Sequence, residues 1–130
     1  MFIDASAICA ILMGEPEGAD FIKRIDAVDV RLTSGLALYE ATVALARQVP
    51  DAPQALTDVN DFVASANLEI VPIGKAEYAE AFRAFARFGK GRHPARLNLG
   101  DCFAYACARL HQAPLLFKGD DFTRTDVAAA

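Results

Sequence analysis

Short apolar runs alternating with longer helical patterns limit this chain to few architectures. Residues 1–4, 30–34, 68–73 and 115–117 read as strands, and the segments between them carry apolar side chains at helical spacing. Strands of this kind separated by helices indicate βαβ units, hence an α/β fold with a central parallel sheet and helices on both faces. Ligands gather beyond the carboxyl ends of the strands in such sheets, so acids that follow a strand are the first residues to weigh.

The helical segments sharpen this frame. A first helix is expected over 5–13, directly after Asp4. Gly14 and Pro16 then punctuate the chain, and a second helix follows with Glu15 and Glu17 in its first turn and Ala19, Phe21, Ile22, Ile25 and Val28 along its stripe. The helix over 36–49 is apolar nearly all round, with Glu40 as its only acid. Pro50 and Pro53 break the chain before an amphipathic helix over 55–66 that turns Leu56, Val59, Phe62 and Val63 inward. A fifth helix over 77–88 leads into the basic loop Gly89, Lys90, Gly91, Arg92, His93, Pro94. The next helix, over 97–109, is almost wholly apolar after Asp101 in its first turn, and Asn98 is suited to cap it. A last short strand or tail covers 123–130.

With 130 residues, 54% of them hydrophobic and 23% charged, residues 1–130 are expected to form one domain that buries a core without disulfide or zinc staples. Cys9, Cys102 and Cys107 have no ligand or redox spacing and read as small buried hydrophobes. The apolar run over 5–13 is too short to span a bilayer and follows an acid instead of a basic leader, so a cytoplasmic protein is expected, with no membrane partner. A net charge of −4 speaks against a generic nucleic-acid binder. Yet Lys75, Arg83, Arg87, Lys90, Arg92 and Arg96 fall in one segment whose only acids are Glu77 and Glu80, so an acidic chain carries a basic strip.

Four acidic positions stand out. Asp4 ends the first strand, Glu40 interrupts an apolar helix, Asp101 opens the 97–109 helix, and Asp120 or Asp121 follows the fourth strand. Each has a structural reading: Asp4 as a helix cap, Asp101 as a partner of a helix dipole, Asp120 and Asp121 as turn residues. Glu40 resists such a reading, because capping does not explain an acid inside a helix. If the four converge, the chemistry they suit is binding of Mg²⁺ or Mn²⁺, hard cations that prefer carboxylate oxygen, and hydrolysis of a phosphodiester. Ser6 is placed either to support a ligand or phosphate, or to bond locally within the first helix. His93 and His111 lack ligand spacing. The basic segment is either a solvated helix face with its loop or, beside the acids, a strip that positions a nucleic-acid backbone.

The chain resembles PIN-domain ribonucleases, more narrowly the VapC-type toxins of bacterial toxin–antitoxin pairs. The resemblance spans essentially the whole chain and is carried by FIDAS at 2–6, GKGRHPARLNLGDCFAYACA at 89–108 and LLFKGDDFTRTD at 115–126. It implies a PIN-like fold with an acidic pocket for Mg²⁺, with Mn²⁺ as a substitute. Carried over by position, Asp4 and Asp101 would be the metal ligands, and Glu40 would complete the site or orient the attacking water. Asp120 is taken as the fourth acid, with Asp121 the alternative. The resemblance further implies endonucleolytic cleavage of RNA, often a transfer RNA, a homodimer, and a cognate VapB-type antitoxin that covers the pocket. Ile11, Leu12 and Phe21 are candidates for the groove that receives the antitoxin.

Two enzyme-like alternatives fit less well. A haloacid-dehalogenase-like phosphatase needs a second Asp where Ser6 stands. A receiver domain would use Lys118 but lacks an acidic pair near its first strand. From another class, a non-catalytic binding module of the same fold would keep the acids without the chemistry, and would show no Mg²⁺-dependent activity.

Overall fold

The computed structural model describes residues 1–130. Four parallel strands, β1 (Phe2–Ile3), β2 (Leu32–Ser34), β3 (Glu69–Val71) and β4 (Leu115–Leu116), lie in the order β3-β2-β1-β4. The chain steps outward from β1 to β3 through helices α1 (Ala5–Leu12), α2 (Gly18–Asp26), α3 (Gly35–Ala46) and α4 (Ala52–Ser65). It returns through α5 (Lys75–Phe88) and α6 (Leu99–Leu110) to place β4 on the other side of β1. The connection therefore changes direction at β1, and the crevice beyond the ends of β1 and β4 is where a sheet of this kind binds ligands.

Burial on both faces explains why β1 and β4 are uninterrupted apolar pairs. Phe2 and Leu115 point to one core with Ala81, Ala84, Phe88 and the buried side of α6. Ile3 and Leu116 point to the other with Ile8, Phe21, Ile25 and Ala41. The run Ala104, Tyr105, Ala106, Cys107, Ala108 on α6 is entirely buried, and its small side chains bring the helix backbone close to the sheet. Cys102 and Cys107 are buried and Cys9 half-buried, all three as free thiols.

Several sequence expectations are corrected. Helix α2 begins at Gly18, so Glu15 and Glu17 precede it; both pair with Lys118, just beyond β4, instead of serving a first turn. Helix α4 begins at Ala52 and takes Pro53 into its first turn, where a missing N–H costs nothing. Leu56 is exposed, and Ala55 with Val59 makes the buried stripe of α4. Phe21 belongs to the core and is not available to a groove, whereas Ile11 and Leu12 are half-buried. Of the two readings of the last stretch, a short strand or a tail, the tail holds: the chain forms a 3₁₀ turn, Asp121–Arg124, and a single bridge between Leu115 and Ala129. No helix is long and apolar enough to cross a membrane.

Candidate active site

Asp4 leaves β1 and caps α1 at once, as its structural reading expects. Asp4 is buried, with 5% of its surface exposed. Oδ2 accepts from Ser6 N at 3.0 Å and from Ser6 Oγ at 2.5 Å. Ser6 Oγ in turn accepts from the backbone N–H of Lys118 at 3.0 Å. One hydroxyl thus ties the segment after β1 to the segment after β4 and fixes the rotamer of Asp4. Burial pushes the Asp4 carboxyl above the ordinary range, opposed by the hydrogen bonds from Ser6 and Ala5, and the Asp121 charge pushes in the same direction as burial.

Asp101 is held by a reciprocal cap. Its N–H donates to Asn98 Oδ1 at 2.9 Å, and its Oδ2 accepts from Asn98 N at 2.8 Å. Those bonds lock the first turn of α6 and leave Oδ1 outside the cap. Burial raises its carboxyl to about 6 against the Asn98 bond, with further push from the Asp4 and Asp121 charges.

Glu40 lies on α3, a helix launched when Ser34 at the end of β2 accepts from Ala37 N at 3.2 Å. Its carboxylate reaches the first turn of α6 and rests against Gly100, where any Cβ would collide with both carboxylate oxygens. Burial, then the charges of Asp4 and Asp101, push Glu40 up to about 7. Glu40 thus feels the charges of both Asp4 and Asp101, and Asp101 feels that of Asp4.

The two candidates for the fourth acid, Asp120 and Asp121, are placed differently. Asp121 is the carboxylate whose charge reaches Asp4 and Asp101; Asp120 is not among the charges acting on any of the three. Asp120 instead caps the turn through its backbone carbonyl, which accepts from Thr123 N and Oγ1. The sequence reading also missed Gly100 and the joining role of Ser6. A Gly beside an acid in the first turn of an apolar helix is a weak signal for the former, because Gly there costs helix stability unless something approaches closely.

The donor set suits a hard cation. Asp4, Glu40 and Asp101 take part in no salt bridge, although ion pairs occur elsewhere on the molecule. Clustered carboxylates without a basic partner call for a counterion. No three His, Cys, Asp or Glu side chains close into one ion-holding group. Mg²⁺ keeps several waters and is held by one or two carboxylates, and Asp4 and Asp101 are the two acids here that could supply them. Cys9 nearby is no rival nucleophile, because burial and then the Asp4, Glu15 and Glu40 charges push its thiol up to about 11.

The loop between α5 and α6 runs into the Asn98 cap that holds Asp101. A bridge joins Gly89 to Leu97 and closes it, and Lys90, Gly91, Arg92, His93, Pro94 and Arg96 line a depression of about 520 Å³ with no hydrophobic residue. On α5 and the start of α6, Tyr78, Phe82 and Leu99 are exposed and, with Phe85 and Phe103, line an apolar cleft of about 540 Å³.

Comparison with known proteins gives this geometry a context. A family model described as "PIN domain" matches residues 1–128. The chain is 38% identical over 128 residues to ribonuclease VapC30 of Mycobacterium tuberculosis, covering 98% of this chain and 96% of that protein. It is 41% identical over 130 residues to ribonuclease VapC of Mycolicibacterium smegmatis, covering 99% and 98%. Among solved structures, VapC20 of Mycobacterium tuberculosis, described as a sarcin-ricin loop cleaving toxin, superposes with a TM-score of 0.77 over 99% of this chain and 97% of that one, at 19% identity.

Proposed function

Because the chain belongs to the PIN-domain family, with VapC ribonucleases as near-full-length relatives, we propose that it is a Mg²⁺-dependent endoribonuclease toxin restrained by a VapB-type antitoxin. The observation that carries this reading is the set of three carboxylates, Asp4, Glu40 and Asp101, in which Glu40 is raised by the charges of the other two and no basic side chain is paired to any of them.

Asp4 and Asp101 are the residues that would hold Mg²⁺, or Mn²⁺ in its place. The ion would polarise the scissile phosphate and acidify the attacking water. The protein's own groups do the rest. Ser6 and Asn98 each tie one oxygen of a ligand carboxylate, so both acids are oriented before substrate arrives. Glu40, raised to about 7, has the affinity of a general base near neutral pH: it orients the attacking water and takes its proton as the water oxygen bonds to phosphorus and one P–O bond of the RNA breaks. Asp121 supplies the fourth acid.

Partners follow from two surfaces. The cleft of about 400 Å³ between α1, α3 and α4 is lined by Leu12, Leu45 and Phe62 and rimmed by Asp58 and Asp61. It suits an amphipathic antitoxin helix with basic residues on its flank. The exposed aromatic face of α5 suits a second copy of the chain, as a homodimer would require.

Incubation of the purified protein with total bacterial RNA tests the activity. Discrete fragments in Mg²⁺, absent in EDTA, are expected. Intact RNA under both conditions, with transfer and ribosomal RNA present, would refute it and favour a binding module of the same fold.

A further inference from the structure

The loop between α5 and α6 has features that the acid site does not use. Arg83 and Arg87, on the helix before it, spend their charge on Glu80 and Asp126 at 3.0 Å each. Lys90, Arg92 and Arg96, on the loop itself, form no ion pair. Three free cations within one short segment repel one another, and a loop with no further role would gain by spreading or pairing them.

The loop is nevertheless built to hold them together. Lys90 N donates to Leu97 O and Leu97 N to Phe88 O, both at 3.0 Å, closing its base. Inside it, Arg92 N and His93 N both donate to Gly89 O, and Arg96 N donates to His93 O. Gly91 at φ +84° and Arg96 at φ +55° adopt left-handed backbone, a conformation that costs a side-chain-bearing residue such as Arg96. His93 packs edge-on against Phe88 with centroids 5.2 Å apart, and its Nδ1 accepts from Ala95 N at 3.1 Å, which leaves Nε2 as the ring's donor. The Arg92 guanidinium stacks over Phe85 at 5.2 Å. The result is a shallow, open depression in which Lys90, Arg92 and Arg96 stand around Gly91, His93 and Pro94, and Arg96 stands directly before Leu97 and the Asn98 cap of Asp101.

We propose that Lys90, Arg92 and Arg96 form a preorganised clamp for the phosphate backbone of RNA next to the acid site, gripping phosphates flanking the one that is cut. This rests on the ribonuclease reading. Phosphate contacts of this kind fix register without reading bases, and a closed loop loses little conformational freedom on binding. It also explains how a chain with a net charge of −4 engages a polyanion: the attraction is local, at the edge of the acids, and not spread over the surface.

The test combines binding and cleavage. Binding of a fluorescein-labelled single-stranded RNA of mixed sequence is followed by anisotropy in EDTA across a salt series. The full chain is compared with its Lys90→Gln/Arg92→Gln/Arg96→Gln variant. Loss of three phosphate contacts makes the slope of log affinity on log salt shallower by about 2, and affinity near 0.1 M salt falls about a hundredfold. In cleavage assays the loss appears in KM more than in kcat. The charge-preserving variant Lys90→Arg/Arg92→Lys/Arg96→Lys restores most of the affinity, and Arg83→Gln, which removes a paired cation of the same segment, changes it little. Because the three side chains are exposed, circular dichroism of the Gln variant matches the parent. An unchanged salt slope and KM in the Gln variant, with the parent still cutting RNA, would overturn the clamp and leave the ribonuclease reading intact. A parent that neither binds nor cuts RNA would overturn both. Equal affinity for polyglutamate of matched charge would assign the loop to an acidic protein and overturn the clamp.

Discussion

Gly100 and Glu40 are in direct contact: the carboxylate of Glu40, reaching across from α3, occupies the space a side chain at Gly100 would need. Because the obstructing atoms are the far end of a flexible side chain, Gly100→Ala is expected to leave the fold standing and to displace Glu40. Stability should change by no more than about 1 kcal/mol, helped by the better helix propensity of Ala, while RNA cleavage falls by about a hundredfold or more. Glu40→Gln should cost a similar factor. The double variant should be little worse than either single one, because both act on the same group. Initial rates for the four proteins check this; simple multiplication of the two losses would contradict it.

A pH dependence follows from the crowding of the acids. Burial and neighbouring charge raise Glu40 to about 7 and Asp101 to about 6, above their ordinary values of 4.5 and 3.8. The folded protein then binds protons more tightly than the unfolded chain, so stability from these groups is full below the unfolded values and is lost as pH rises to about 7. Urea unfolding in EDTA should show a midpoint that falls between pH 5 and pH 8, with a flatter profile in Glu40→Gln. Adding Mg²⁺ should raise the midpoint more at pH 8 than at pH 5, because only the ionised cluster binds the cation.

Asp120 and Asp121 separate by a simple substitution pair. The Asp121 charge reaches Asp4 and Asp101, whereas the Asp120 side chain makes no hydrogen bond and its role lies in its backbone carbonyl. Asp121→Asn is expected to slow cleavage by about tenfold or more and Asp120→Asn to leave it within about twofold. Equal losses in the two would place both acids at the site.

Much of the fold was legible because its signals are local. The strands are apolar runs, the cap of α6 is an Asn with an Asp three residues on, and the order of elements follows from the alternation itself. What was not legible depends on contacts distant in sequence or on turn geometry. Glu15 and Glu17 suit a helix start, but Lys118 draws them to β4. Leu56 suits a buried stripe, yet small Ala55 is what packs between α3 and α4. For the site, Asp4, Glu40 and Asp101 could be singled out by position. Between the two adjacent acids the sequence offers no means of choosing, because the phase of the 3₁₀ turn beginning at Asp121 is not written in two neighbouring Asp residues.

Ser6 offers a test of how far the ligand acids must be preset. Its hydroxyl donates to Asp4 and accepts from Lys118 N. Ser6→Ala removes both bonds and leaves a buried carboxylate less well satisfied, at a cost of about 1–3 kcal/mol in thermal or urea unfolding. Cleavage should fall further than stability alone explains when measured well below the unfolding transition, since Asp4 loses its fixed orientation. A stable variant with parental activity would remove Ser6 from the site.

The most direct measurement is to map new RNA 5′ ends, by sequencing, after total bacterial RNA is incubated with the purified protein in Mg²⁺, with the protein in EDTA, and with the Asp101→Asn variant in Mg²⁺. The predicted result is a small set of discrete ends present only with both Mg²⁺ and Asp101. The same ends in EDTA, or from Asp101→Asn at the parental rate, would contradict an acid-held metal site as the source of cleavage.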